Sequence, residues 1–164
     1  MNRLLKNEQG ISVIEVLIVT GVFALLALSI TSGFVPLQQK SSIDATLTTF
    51  LADSKSQQIK AMIGDTEGRA TSDNYGIHFT QNGYTLFHGV NYAASDSSNF
   101  TINFDNGITA STLFPSSNIL FASESGDIVN YATSSSTVTL RNTLSGEQRI
   151  ISINRYGVVT LQQN

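Results

Sequence analysis

Two kinds of hydrophobic pattern divide this chain. From Val16 to Ile30 every residue is apolar or small (VLIVTGVFALLALSI), and between Ile11 and Gln39 the only formal charge is Glu15. With the residues on to Val35, this run is long enough for a helix of about 30 Å at roughly 1.5 Å per residue. The next stretch, LQQKSSIDATLTTFLADSKSQQIKAMIG, changes period. Ile43, Leu47, Phe50, Leu51, Ile59, Met62 and Ile63 recur at the three- and four-residue steps of one helix face, and Gly64 is a stop signal. Joined, the two stretches predict one helix from about Ile11 to Ile63, kinked or loosened at Pro36.

Beyond Gly64 the pattern becomes short and alternating. A polar loop (GDTEGRATSDN) leaves the helix, and Tyr75–Thr80 and Tyr84–His88 flank Gln81-Asn82-Gly83, a strong hairpin signal. Further strands are expected at Phe100–Phe104, from Ile108, and at Asn118–Ala122, Ile128–Ala132, Thr137–Arg141, Gln148–Asn154 and Val158–Gln162. Short strands at this spacing suggest a small antiparallel β-domain. The expected fold class is α+β: a long N-terminal helix, apolar then amphipathic, packed on a small antiparallel sheet head. The divisions are a short basic segment over 1–10, a transmembrane-length apolar helix over 11–36, an amphipathic helix over 37–63 and a β-rich head over 64–164.

Charge sharpens the reading of the N-terminus. A lone carboxylate in a membrane-length helix costs about 2.5–3.5 kcal/mol or more unless paired. Glu15 therefore needs a cation, and its own helix supplies none before Lys40; Arg3 and Lys6 precede Gly10. The basic leader places the N-terminus in the cytoplasm and the domain outside. A secretory signal peptide would have a shorter apolar core with a small-residue cleavage site behind it. An uncleaved signal anchor gives no reason for Gly10 and Glu15 to be so placed.

A short basic leader ending in Gly10, an apolar Ile11, Glu15 five residues after the glycine and the long apolar run resemble the cleavage and methylation segment of type IV prepilins and type II secretion pseudopilins. Ile11 stands where the family most often has Phe, and Pro36 comes only at the end of the apolar run. The resemblance implies that prepilin peptidase cuts between Gly10 and Ile11 and that the new amine of Ile11 is methylated. It also implies that Glu15 pairs with such an amine of a neighbouring subunit and sets the register of assembly. Tyr75-Gly76-Ile77-His78-Phe79, Asn82-Gly83-Tyr84, Phe121 before Ser125-Gly126, and Ile151-Ser152-Ile153 with Gly157-Val158-Val159 look like the GspH/FimT group of minor pilins and H-type pseudopilins.

The resemblance implies a structural subunit of a type IV pilus or a secretion pseudopilus, not an enzyme. Its implied partners are other pilin or pseudopilin subunits, prepilin peptidase, an inner-membrane assembly platform and membrane lipid before assembly. Its implied place is the bacterial inner membrane as a single-pass protein, and then the filament. Some FimT-type members bind DNA through a basic Gly-Arg-x-Arg motif; the matching place here reads Gly157-Val158-Val159-Thr160. The net charge of −3, or −4 without the leader, likewise does not attract nucleic acid. A DNA-capturing minor pilin and a signal-anchored extracellular enzyme are the alternatives.

Candidate chemistry is sparse. With no cysteine, disulfides, thiol catalysis and thiolate metal sites are excluded. There is no Gly-x-Ser-x-Gly elbow, phosphate loop or zinc motif, so no cofactor is expected. His78 and His88 are the only histidines. A two-residue Asn82-Gly83 turn would pair Thr80 with Thr85 and put the imidazoles on opposite faces, where they cannot share a metal. Asp96, Asp105 and Asp127 lack calcium-ligand spacing. Arg141, Arg149 and Arg155 suggest a small basic patch or ion pairs on the late strands.

Overall fold

The computed structural model describes residues 12–162, with the side chains of 28–41 left aside. Helical backbone is assigned over α1 (Val13–Met62). The chain divides into two compact units, Met1–Gln38 and Gln39–Asn164. Within α1 the described side chains form two short helical stretches, 13–27 and 42–62. This corrects the expectation of one long helix packed on a head: among the described helical side chains, those of 13–27 are exposed, and those buried against strands lie in the stretch 42–62.

The β part also exceeds the expected single small sheet. Among the described residues eight strands form two antiparallel four-stranded sheets. One has the order β3-β2-β1-β5, with β1 (Tyr75–Thr80), β2 (Gly83–His88), β3 (Phe100–Asn103) and β5 (Asn118–Phe121). The other has the order β4-β6-β7-β8, with β4 (Ile108–Thr112), β6 (Thr137–Asn142), β7 (Gln148–Ile153) and β8 (Val159–Gln162). The second unit is therefore a β-rich domain carrying one docked helical stretch. Ile128–Ala132, expected as a strand, makes only an isolated bridge from Ile128 to Phe121, and the chain then enters a short 3-10 turn at Thr133–Ser135.

A single apolar core joins the helix to both sheets. Ile43, Leu47 and Phe50 of the helix meet Tyr75, Ile77, Phe79, Tyr84, Ile119 and Phe121 from one sheet and Val138, Leu140, Ile151 and Ile153 from the other. Phe50 sits against Phe79 at 5.5 Å between ring centroids and against Tyr84 at 5.8 Å, edge-on. Alternation explains which strand residues face inward: in β6 Val138, Leu140 and Asn142 are buried while Arg141 is exposed.

Along the helix the buried stripe runs on from Ile43, Leu47 and Phe50 through Ser54, Gln57, Gln58 and Ala61. These positions keep helical spacing, but their chemistry turns polar. Ile59, Met62 and Ile63, expected on the packed face, are instead 45, 48 and 70% exposed. The Gln58 carboxamide explains the exchange. It donates to the carbonyls of Gly126 at 3.1 Å and Tyr156 at 2.7 Å, satisfying two turns that press against the helix.

The hairpin register differs from expectation by two residues. Thr80 pairs with Gly83 and His78 with Thr85, so Gly83 is the first residue of β2 rather than part of the turn. Gly83 is needed for close approach. A Cβ there would collide with the Ile102 carbonyl of the neighbouring strand. A shift of two preserves parity, so His78 and His88 still lie on opposite faces of the sheet.

Among the described residues no helix is long and apolar enough to cross a membrane. The rest of the expected span, 28–36, has its side chains outside the described set. The expected transmembrane helix, and the single-pass inner-membrane placement built on it, are therefore not supported.

Candidate functional site

Gly10 and Ile11, the expected cleavage and methylation positions, lie outside the described residues. Glu15 occupies the first turn of α1, where a carboxylate is favoured by the unpaired amides and the helix dipole. Its own amide and that of Val16 are already spent on the Ser12 carbonyl, at 3.0 and 3.2 Å. The carboxylate itself has no ion pair or hydrogen bond among the described residues, so the cation it needs is not found there. It borders a shallow recess with Val16, Val19 and Thr20.

Around Glu15 the helix is apolar on every side. Val13, Ile14, Val16, Leu17, Ile18, Val19, Val22, Phe23 and Leu26 are each at least half exposed. A soluble helix normally shows one apolar stripe against its own core. This one presents apolar side chains all round among the described residues, with a single carboxylate near its start.

The β-rich domain holds ionic clusters that spacing alone did not reveal. Tyr84, buried on β2, donates its hydroxyl to Asp53 on the helix at 2.6 Å. Burial and the adjoining carboxylate both push the phenol well above its ordinary range. Tyr75 is gripped by two cations: Lys60 and Arg69 each lie 5.7 Å from its ring centre. Arg69 also donates to the Tyr75 hydroxyl at 2.9 Å, and that hydroxyl donates to the Asp65 carbonyl at 2.8 Å. Glu67 bridges the two cations, at 2.6 Å to Lys60 and 3.1 Å to Arg69. The Lys60 hydrogen bond is the main reason its carboxyl is held below the usual range.

The arginines expected as a patch are separated. Arg149 pairs with Asp44 at 3.0 Å and Arg155 approaches Asp127 at 3.5 Å, while Arg141 stands exposed. The candidate calcium carboxylates are likewise dispersed. Asp105 accepts from the Ser42 hydroxyl, Asp127 faces Arg155 and Asp96 accepts from Ser98. Among the described residues no three metal-ligating side chains are close enough to hold an ion.

Both histidines instead bear on one loop, 89–99, between β2 and β3. His78 stacks on Tyr92 with ring centres 4.0 Å apart and planes 9° from parallel, and its Nδ1 meets the Asn118 side-chain oxygen at 2.7 Å. His88 lies between Asp73, 3.2 Å from Nδ1, and Asp96, 3.5 Å from Nε2. No sequence signal could pair residues so far apart with the loop; only the hairpin register puts them at its base.

No family model, no curated protein and no solved structure matches this chain, so these comparisons identify neither a pilin nor a secretion family.

Proposed function

We propose that this protein is a structural assembly subunit, a minor pilin or pseudopilin, made competent by cleavage between Gly10 and Ile11. The observation that carries the reading is the helical stretch 13–27, apolar on every side and interrupted only by the uncompensated Glu15. Such a surface gains most by packing against equivalent helices of neighbouring subunits. A new α-amine on Ile11 of a neighbour supplies the cation that Glu15 lacks, and the pair fixes the axial register of the bundle. The β-rich domain is then the displayed part.

The test is the N-terminal mass of the chain recovered from sheared filaments of its native host. A chain that begins at N-methylated Ile11 supports the reading. A chain that retains Met1–Gly10, in a host with active prepilin peptidase, overturns it. Glu15→Ala should lower incorporation into filaments by at least about tenfold, because it abolishes an ion pair that assembly desolvates. The fold of the β-rich domain should be untouched.

A further inference from the structure

The loop 89–99 straddles the end of one sheet and is held from both faces. On one face Tyr92 lies flat on His78 and meets Phe87 edge-on at 5.6 Å. On the other, Asp96 reaches back to His88. The two holds differ in chemistry. The Nδ1 of His78 faces an uncharged amide oxygen, so a neutral imidazole satisfies it with one N–H. His88 has a carboxylate oxygen opposite each ring nitrogen. A neutral imidazole carries only one N–H, so one nitrogen must then turn a lone pair toward a carboxylate. Only the imidazolium can donate to both.

We infer that His88 is a proton-operated clamp on the Asp96–Asn99 half of this loop, closed when the imidazole is charged and released when it is neutral, while Tyr92 stays seated on His78 in both states. The neutral ring keeps the shorter contact, to Asp73, and gives up the longer one, to Asp96. Asp73, from the segment before β1, and Asp96 face the His88 ring, Lys60 of the helix, Glu67 of the loop after it and Tyr75 of β1 line the same recess, and the Arg69 charge acts on Asp96. Lys60, Glu67 and Arg69 are bound to one another, leaving the two aspartates as direct partners. The Ser98 hydroxyl and amide hold the Asp96 carboxyl below the usual range, so it remains an anion wherever an imidazole titrates.

The released half has its own reporters. The amides of Asp96, Ser98 and Asn99 bond to the Ala93 carbonyl, the Asp96 carboxylate and the Asp96 carbonyl respectively. Hydrogen exchange of the full chain, read by mass spectrometry at pH 5.5 and 8.0 and corrected for intrinsic chemistry, measures how often this turn opens. Peptides covering 95–99 should be about two- to fivefold better protected at pH 5.5, the size of effect expected for a partly exposed ion pair. His88→Gln should remove that pH dependence, and His78→Gln should leave it intact. Equal protection at the two pH values in the unmodified chain overturns the inference, as does pH dependence that survives His88→Gln. Should His88→Gln fail to fold, Asp96→Asn addresses the same contact from the other side, with the same required outcome.

Discussion

Truncating Phe50 to alanine is the sharpest test of how the helical stretch 42–62 is seated. Phe50 is fully buried and is the helix residue from which the aromatic cluster radiates, touching both Phe79 and Tyr84. Removing a buried phenyl group costs about 3–5 kcal/mol in transfer and cavity terms. The upper part of that range is expected here, since two further rings each lose a partner. The surrounding strands belong to hydrogen-bonded sheets and have little freedom to collapse into the space. Phe50→Leu, which keeps most of the volume, should cost only about 1–1.5 kcal/mol. Against a typical domain stability of about 5–15 kcal/mol, the alanine variant should be marginal and the leucine variant comfortably folded. Urea unfolding followed by tyrosine fluorescence suits the measurement. The chain has no tryptophan, and all five tyrosines lie at or beyond Tyr75, so the signal reports the β-rich domain and not the stretch 13–27. A loss below about 1 kcal/mol for Phe50→Ala, or equal losses for the two variants, would show that the helix does not pack on the sheets through this residue.

Three further outcomes rest on other contacts. Tyr84→Phe leaves the ring in place but deprives Asp53 of a donor, and should cost about 1.5–3 kcal/mol in the same unfolding assay. Gly157→Ala forces a Cβ against the Gln58 carboxamide at a backbone φ of +71°, and should cost at least about 1 kcal/mol. Glu67 contributes stability that is present above the carboxyl range of the unfolded chain and is lost as pH falls through its own lower value. Glu67→Gln should therefore flatten the stability profile between about pH 5 and 3 and leave its slope above pH 6 unchanged.

Much of the β architecture was legible because period-two alternation and turn residues speak locally. Eight of the strand expectations fall on observed strands, seven to within about a residue at both ends and the one from Ile108 at its start. The failures have physical causes. Gln81-Asn82-Gly83 reads as a tight turn, yet Gly83 is claimed by the neighbouring strand, which leaves no room for a side chain; local turn chemistry yields to a tertiary contact. The division into two sheets depends on pairings between distant segments, β4 with β6 and β1 with β5, which alternation cannot specify. The helix face was followed by hydrophobicity to Ile59, Met62 and Ile63, whereas the packed stripe continues through Ser54, Gln57 and Gln58 because turn carbonyls, not apolar side chains, wait there. At the N-terminus the lone Glu15 was visible at once, since a single charge in an apolar run stands out. The histidine contacts with Asp73, Asp96 and Tyr92 depend on register and loop path, and nothing in spacing announces them.

The double hydrogen bond from Gln58 has a mechanical side. Gly126 lies in the turn after β5 and Tyr156 in the turn between β7 and β8, so one carboxamide ties the helix to both sheets. Nearby, the Glu124 amide donates to the Ala61 carbonyl at 2.8 Å, adding a second strut to the first of those turns. A pull along the stretch 42–62 is thus shared between the two sheets at the far end of the helix instead of peeling one sheet from the other. Tension must break this polar knot as well as the apolar core before the domain yields.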